Sequence, residues 1–133
     1  MKSTLYTKKV KGKGRGVFSF IPLYKDDLVE VCPLIVLPGQ DFESAISSRL
    51  ADYFFNFVKE DKTLALVLGF GSLYNHAVHS NATYQLDRDA RLMYYYAIQD
   101  IPAHTEICIN YSGEQGKEYR EWFESRNITL KSK

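Results

Sequence analysis

Gly69-Phe70-Gly71-Ser72-Leu73-Tyr74-Asn75-His76-Ala77-Val78-His79-Ser80-Asn81 follows directly on the apolar run Thr63-Leu64-Ala65-Leu66-Val67-Leu68. The run is short and bounded by glycine, which predicts a buried strand ending in a tight Gly-x-Gly backbone turn. That turn delivers Asn75 and His76 behind an apolar pair, where two polar side chains are costly unless they are satisfied. The pair must therefore have partners. A metal site on His76 and His79 lacks a third ligand at zinc spacing. An Asn-His pair that stitches loops together is the plainer structural reading.

Upstream, residues 7–20 read as a basic strand, a glycine turn and a second strand. In Gly12-Lys13-Gly14-Arg15-Gly16 the alternate glycines permit positive φ and close approach of backbone N–H groups to an anion, although a simple hairpin turn needs the same residues. The segment lacks the lysine-serine/threonine ending of a phosphate loop and the full dinucleotide fingerprint. Residues 28–32 alternate as a strand, and Pro33 and Pro38 bracket a second short strand at 34–37. Residues 41–58 open with an acidic turn and a helical pattern, while the aromatic stretch 53–58 suits a strand equally well.

Downstream, residues 82–86 and 91–98 predict a hairpin around the polar turn at 87–90. Ile101-Pro102-Ala103-His104-Thr105-Glu106 echoes Ile21-Pro22-Leu23-Tyr24-Lys25-Asp26, which reads as two similar β-turns. Glu106-Ile107-Cys108-Ile109-Asn110-Tyr111 is a strand that ends on a tyrosine, a place where functional groups are often presented and where a rim tyrosine is also ordinary. Tyr119, Trp122 and Phe123 have helical spacing. The fold class expected is α+β and β-dominated, with one domain over residues 1–126, a C-terminal helix, and a frayed tail at 127–133.

Composition supports a single packed domain: 133 residues, 45% hydrophobic and 25% charged, leave little room for a two-domain dinucleotide enzyme. With 17 Lys+Arg against 16 Asp+Glu no global field favours nucleic acid or an anionic membrane, so no direct nucleic-acid partner is expected. Cys32 and Cys108 form no zinc motif, so no metal is expected. There is no signal-like apolar segment and no run near the roughly 20 residues that span a bilayer. A reducing, soluble, intracellular compartment is the expectation. The 10 tyrosines need places where a ring is buried while its hydroxyl finds a partner, and a tyrosine-lined pocket is one.

Taken together and in order, three stretches resemble the motifs of the SET-domain protein lysine methyltransferases. Lys13-Gly14-Arg15-Gly16-Val17-Phe18 is similar to the family's GxG motif, Leu73-Tyr74-Asn75-His76 with Asn81 to its RFxNHxxxPN motif, and Glu106-Ile107-Cys108-Ile109-Asn110-Tyr111 to its ELxxDY motif. Within the family the likeness is strongest to the minimal viral histone methyltransferases, which share the Gly-Phe-Gly run and have no cysteine-rich flanks. The resemblance implies a fold of several short-stranded sheets in which the C-terminal segment is threaded through a loop, bringing Asn75-His76 to Asn110-Tyr111.

It further implies S-adenosylmethionine as cofactor, bound by Gly14, Arg15, Gly16, Asn75, His76 and Tyr111, with Trp122, Phe123 or Tyr119 over the adenine. Tyr111 and Tyr53 are the implied catalytic tyrosines, and Tyr53, Ile109 and Tyr74 the implied lining of a lysine channel. Ile109 stands at the family's Phe/Tyr switch and brings no hydroxyl to crowd the amine, which implies capacity for di- and trimethylation. A lysine-containing protein is the implied substrate, a histone tail its candidate form, a homodimer the candidate assembly, and the nucleus or host chromatin the candidate location. Ser80, His104 and Asn110 depart from the family's usual Pro, Gly and acid. His tolerates positive φ better than β-branched residues, and Asn keeps hydrogen-bonding capacity.

Two other function classes compete. A non-catalytic module of the same fold would keep Asn75 and His76 for structure alone. A small nucleic-acid-binding β-domain would use Lys8, Lys9, Lys11, Lys13 and Arg15, but a short basic strand is more often a solvated edge.

Overall fold

The computed structural model describes residues 3–111. The predicted N-terminal hairpin is present as β1 (Leu5–Val10) and β2 (Gly14–Ser19), and its turn places both Gly12 and Gly14 at φ 78, a region that costs side-chain-bearing residues energy. The next strand, β3, runs without a break over Leu28–Leu37, where two short strands divided by Pro33 were expected. Proline is tolerated there because the strand changes partner at that point. Leu28 to Pro33 pair with β8 (Leu92–Ala97), and Leu34 to Leu37 pair with β5 (Thr63–Val67). The missing N–H falls on the β5 side, beyond the last ladder pair Leu34↔Val67.

The helix expected from residue 41 is one short element, α1 (Phe42–Ile46). Ser47 and Ser48 stop it: their hydroxyls donate to the carbonyls of Glu43 and Ala45 at 2.7 Å and compete with helix propagation. A 3-10 turn at Ala51–Tyr53 follows, and the aromatic stretch resolves as β4 (Phe54–Val58), paired antiparallel with β5. The hairpin of β7 (Ala82–Asp87) and β8 forms in continuous register from Ala82↔Ala97 to Asp87↔Leu92.

The two echoing turns are real, in a register shifted by two residues from the Ile-Pro match. Leu23 and Ile101 bridge each other, and Asp26 (φ 74) and His104 (φ 64) hold the same left-handed position three residues later. His104 thus occupies the conformation in which glycine is usual.

Two sheets result, with strand orders β1-β2-β9-β6 and β4-β5-β3-β8-β7, where β6 is Asn75–His76 and β9 is Glu106–Ile109. The late strand β9 lies between β2 and β6, the threading that the family resemblance implied. Val17, Ala65, Met93, Tyr95, Ile107 and Ile109 lie in the main core, each at most 1% exposed. The Val, Met and Ile side chains among them contribute about 1.5–3 kcal/mol each when fully buried. A second cluster of Ala45, Phe54 and Leu64 seats α1 against the sheet. The expected C-terminal helix with Tyr119, Trp122 and Phe123 lies outside the described residues. Among the described residues no helix is long and apolar enough to cross a membrane.

Candidate active site

The site begins at an acid the motifs do not contain. The Glu30 carboxylate, on β3, accepts the Tyr74 hydroxyl at 2.6 Å and the Phe70 N–H at 3.0 Å. It thereby fixes both ends of the turn that leads into β6. Gly69 makes this approach possible: it sits at φ 64, and a Cβ there would press on the Glu30 carboxylate. Gly71 is required for space, since its Cβ would collide with the Val67 side chain, and its carbonyl accepts the Tyr95 hydroxyl at 3.0 Å.

From that turn β6 enters parallel to β9, with Asn75 opposite Cys108 and His76 opposite Ile109. Asn81 locks the crossing from the other side. Its Nδ2 donates to the Glu106 carbonyl and its Oδ1 accepts the Cys108 N–H, both at 2.9 Å. Asn110 adds a bond from its Nδ2 to the Val78 carbonyl at 3.1 Å, so the residue that replaces the family's acid still ties the strand end down.

Asn75 is fully buried, and its Nδ2 donates to the Arg15 carbonyl at 3.1 Å and to the Glu106 carboxylate at 2.7 Å. One side chain therefore joins the glycine turn, β6 and β9. Glu106 also pairs with Lys13 at 3.5 Å, and Gly16 abuts its carboxylate so closely that a Cβ could not be added without displacing it. His76 is buried, and its Nδ1 accepts the Tyr111 N–H at 3.0 Å. That bond requires an unprotonated Nδ1. Burial and then the positive charge of Lys13 hold the His76 pKa below its ordinary value, so the ring is neutral at physiological pH.

Tyr111 is the convergence point. Its ring centroid lies 5.2 Å from that of His76, and its hydroxyl donates to the Tyr74 carbonyl at 2.6 Å. With its proton committed, the hydroxyl oxygen can serve a further neighbour only as an acceptor. Burial, followed by the fields of Cys108, Tyr53 and Glu106, pushes the phenol well above its usual range, so no phenolate forms near neutral pH. Tyr53 is thus close enough to Tyr111 to act on it electrostatically, and its carbonyl is reached by the Ser72 hydroxyl at 3.4 Å.

The other sequence-named residues fall as follows. Ile109 is buried on β9 opposite His76. Tyr74 is buried with its ring 4.5 Å from Tyr95, and what it presents to Tyr111 is its backbone carbonyl. Arg15 contributes a carbonyl to Asn75. Trp122 lies outside the described residues. Sequence reading did not single out Glu30, whose signal was an acid inside the apolar alternation Leu28-Val29-Glu30-Val31-Cys32. Among the described residues no group of three or more His, Cys, Asp or Glu could hold a metal ion.

Two features leave this corner open to a small polar ligand that carries a hydrogen-bond donor. Gly14 is exposed at φ 78 with open space where a Cβ would stand, so backbone is accessible there. The buried Asn75 Oδ1 has no hydrogen-bond donor among the described residues, which leaves one acceptor of an otherwise satisfied residue available.

Comparison with known proteins agrees with this geometry. The sequence matches the family described as SET domain over residues 14–112. It is 27% identical over 124 residues to a histone-lysine N-methyltransferase, H3 lysine-37 specific, of Schizosaccharomyces pombe, an alignment that covers 93% of this chain and 80% of that protein. The fold superposes on a candidate histone methyltransferase of Plasmodium falciparum with a TM-score of 0.69 and 28% identity, covering 86% of this chain and 96% of that one. A chain of a humanized Chaetomium thermophilum Polycomb Repressive Complex 2 shares the fold, with a TM-score of 0.66 at 15% identity, over 91% of this chain and 16% of that one. The chain belongs to the SET-domain family. It is a protein-lysine methyltransferase that uses S-adenosylmethionine.

Proposed function

We propose that the chain methylates a lysine of a histone tail, with Tyr111 as the residue that positions the reacting amine. The observation that carries the reading is the placement of Tyr111 at the crossing, its N–H on His76 and its O–H on the Tyr74 carbonyl. The histone assignment is supported by relatives whose names state histone methylation, including one specific for lysine 37 of histone H3. A histone substrate implies nuclear or host-chromatin location. The Gly69 to His76 run supports the likeness to the minimal viral enzymes, and a homodimer is the assembly that likeness suggests.

When bound, S-adenosylmethionine supplies a methyl group on a cationic sulfonium. Gly14, Arg15 and Gly16 offer backbone to it, Asn75 Oδ1 an acceptor for its amino group, and His76 a neutral ring beside it. The protein's task is alignment and exclusion of water, because a neutral lysine amine is already a competent nucleophile. Tyr111, neutral and with its proton committed, offers an acceptor that orients N–H donors. Tyr53 lines the approach. Ile109 adds no hydroxyl of its own to crowd the amine, so products up to trimethyl-lysine are expected.

The test incubates the full chain with labelled S-adenosylmethionine and a panel of histones, with product state read by mass spectrometry. Tyr111→Phe is expected to lose about 100-fold in turnover while cofactor affinity changes little. Full activity in that variant removes Tyr111 from the role. Only monomethyl product after exhaustive reaction overturns the reading of Ile109.

A further inference from the structure

A net charge of +1 conceals a division along the chain. Lys2, Lys8, Lys9, Lys11, Lys13, Arg15 and Lys25 all precede the first acidic residue, Asp26, so that all 16 Asp+Glu lie at or beyond position 26. The fold gathers most of these cations onto one ribbon, since β1 and β2 form a hairpin with β1 at the sheet edge. Lys8, Lys9, Lys11, Arg15 and Lys25 are exposed, whereas Lys13 turns to Glu106.

The same ribbon carries rings. Register places Tyr6 opposite Phe18 and Lys8 opposite Gly16 on one face, and the Phe20 N–H extends the ladder to the Thr4 carbonyl at 2.8 Å. Tyr6 lies 4.3 Å from Phe20 and 5.5 Å from Phe18 between centroids, and His104 closes the cluster edge-on to Phe20 at 6.1 Å. Phe20 is 55% exposed. Lysines alone would be explained as protection of an edge strand. Protection does not explain the exposed Phe20 ring beside them, which on an edge adds an aggregation hazard. Cations that track a backbone next to rings that stack bases are the parts of a single-strand binding platform.

We propose that the outer face of the β1–β2 ribbon binds single-stranded nucleic acid, with Phe20, backed by the Tyr6 ring, stacking a base and Lys8 of the same face, with Lys11 of the exposed turn, meeting phosphates. The proposal stands without the histone assignment.

Fluorescence anisotropy of a short labelled oligothymidylate with the full chain, over a salt series, tests it. Affinity should fall with salt, and Lys8→Glu with Lys11→Glu should weaken binding at least about tenfold and make the log-log salt slope shallower by about 0.7 for each lysine. Phe20→Ser should weaken binding about tenfold with the slope unchanged. Circular dichroism and methylation of a free peptide, both unchanged, certify the fold of the variants. The proposal is overturned by absence of binding at low salt, by tighter binding of a duplex, by wild-type affinity in Phe20→Ser, or by polyglutamate competing as well as unlabelled oligonucleotide. The last outcome assigns the face to an acidic protein instead.

Discussion

At the scale of single residues, the side chains that hold the site in shape differ in how visible they are in sequence. Asn75, His76, Asn81 and Tyr111 lie in motifs, and their partners could be anticipated only as a need. Glu30 could not be paired with Tyr74 from sequence, because the contact spans 44 positions and depends on Gly69 letting the carboxylate come close. Glu30→Gln keeps the shape but replaces one accepting oxygen with an NH2 group that faces donors from Tyr74 and Phe70. Hydrogen bonds to a charged acceptor are worth about 1.5–3 kcal/mol, so a loss of about 2 kcal/mol is expected in urea denaturation. A variant as stable as the parent would show that the two donors find other acceptors. For Tyr74 the sequence names a side chain, while the contact to Tyr111 is made by its backbone carbonyl.

Among the elements, strands and turns were more legible than the boundary of α1 or the continuity of β3. Hairpins announce themselves by local alternation, but the uninterrupted course through Pro33 depends on a change of partner that only the assembled sheet displays. The glycine turn between β1 and β2 illustrates how two neighbouring glycines serve different ends. Gly16 is needed for packing: a Cβ would meet Val10 Cγ2 at 2.8 Å and the Glu106 carboxylate, which is already held by Asn75 and Lys13. Gly14 is needed for conformation, being at φ 78 with nothing within 4 Å of a Cβ. Gly16→Ala should therefore cost about 2 kcal/mol by overpacking and disturb Asn75 as well. Gly14→Ala should cost about 1 kcal/mol by backbone strain alone. Calorimetry with S-adenosylmethionine adds the functional half: both variants should bind it more weakly, Gly14→Ala because the added methyl enters the space offered to the ligand. Equal stability of the two variants would contradict the assignment of packing to one and conformation to the other.

For the molecule as a whole, averaged quantities hid what position reveals. The near-zero net charge concealed a cationic ribbon, and the cysteine count concealed that both thiols are buried beside acids. Cys108 is pushed up from 9.0 to about 11, by burial first and then by Glu106, and Cys32, Tyr74 and Tyr111 are raised as well, each chiefly by burial. His76 is shifted the other way, below 6.5. The signs of these shifts fix the shape of a stability profile. Below pH 6.5 the unfolded chain protonates its histidine while folded His76 resists, so unfolding takes up a proton and stability falls, with the loss complete below the lowered folded value. Above pH 9.0 the unfolded thiols ionise, and above 10.0 the phenols, while their folded counterparts keep their protons. Stability present below those values is then lost as pH rises, for Cys108 through about 11. Each group contributes at most about 1.4 kcal/mol per pH unit within its own window. Urea midpoints measured across the range should trace a plateau between neutral pH and the onset of thiol ionisation, with a decline on both sides. Cys108→Ala should soften the alkaline decline and leave the acid one unchanged, because the thiol carries no charge there in either state. A profile that is flat on the alkaline side, or an acid limb that moves with Cys108, would contradict the buried, neutral state assigned to these groups.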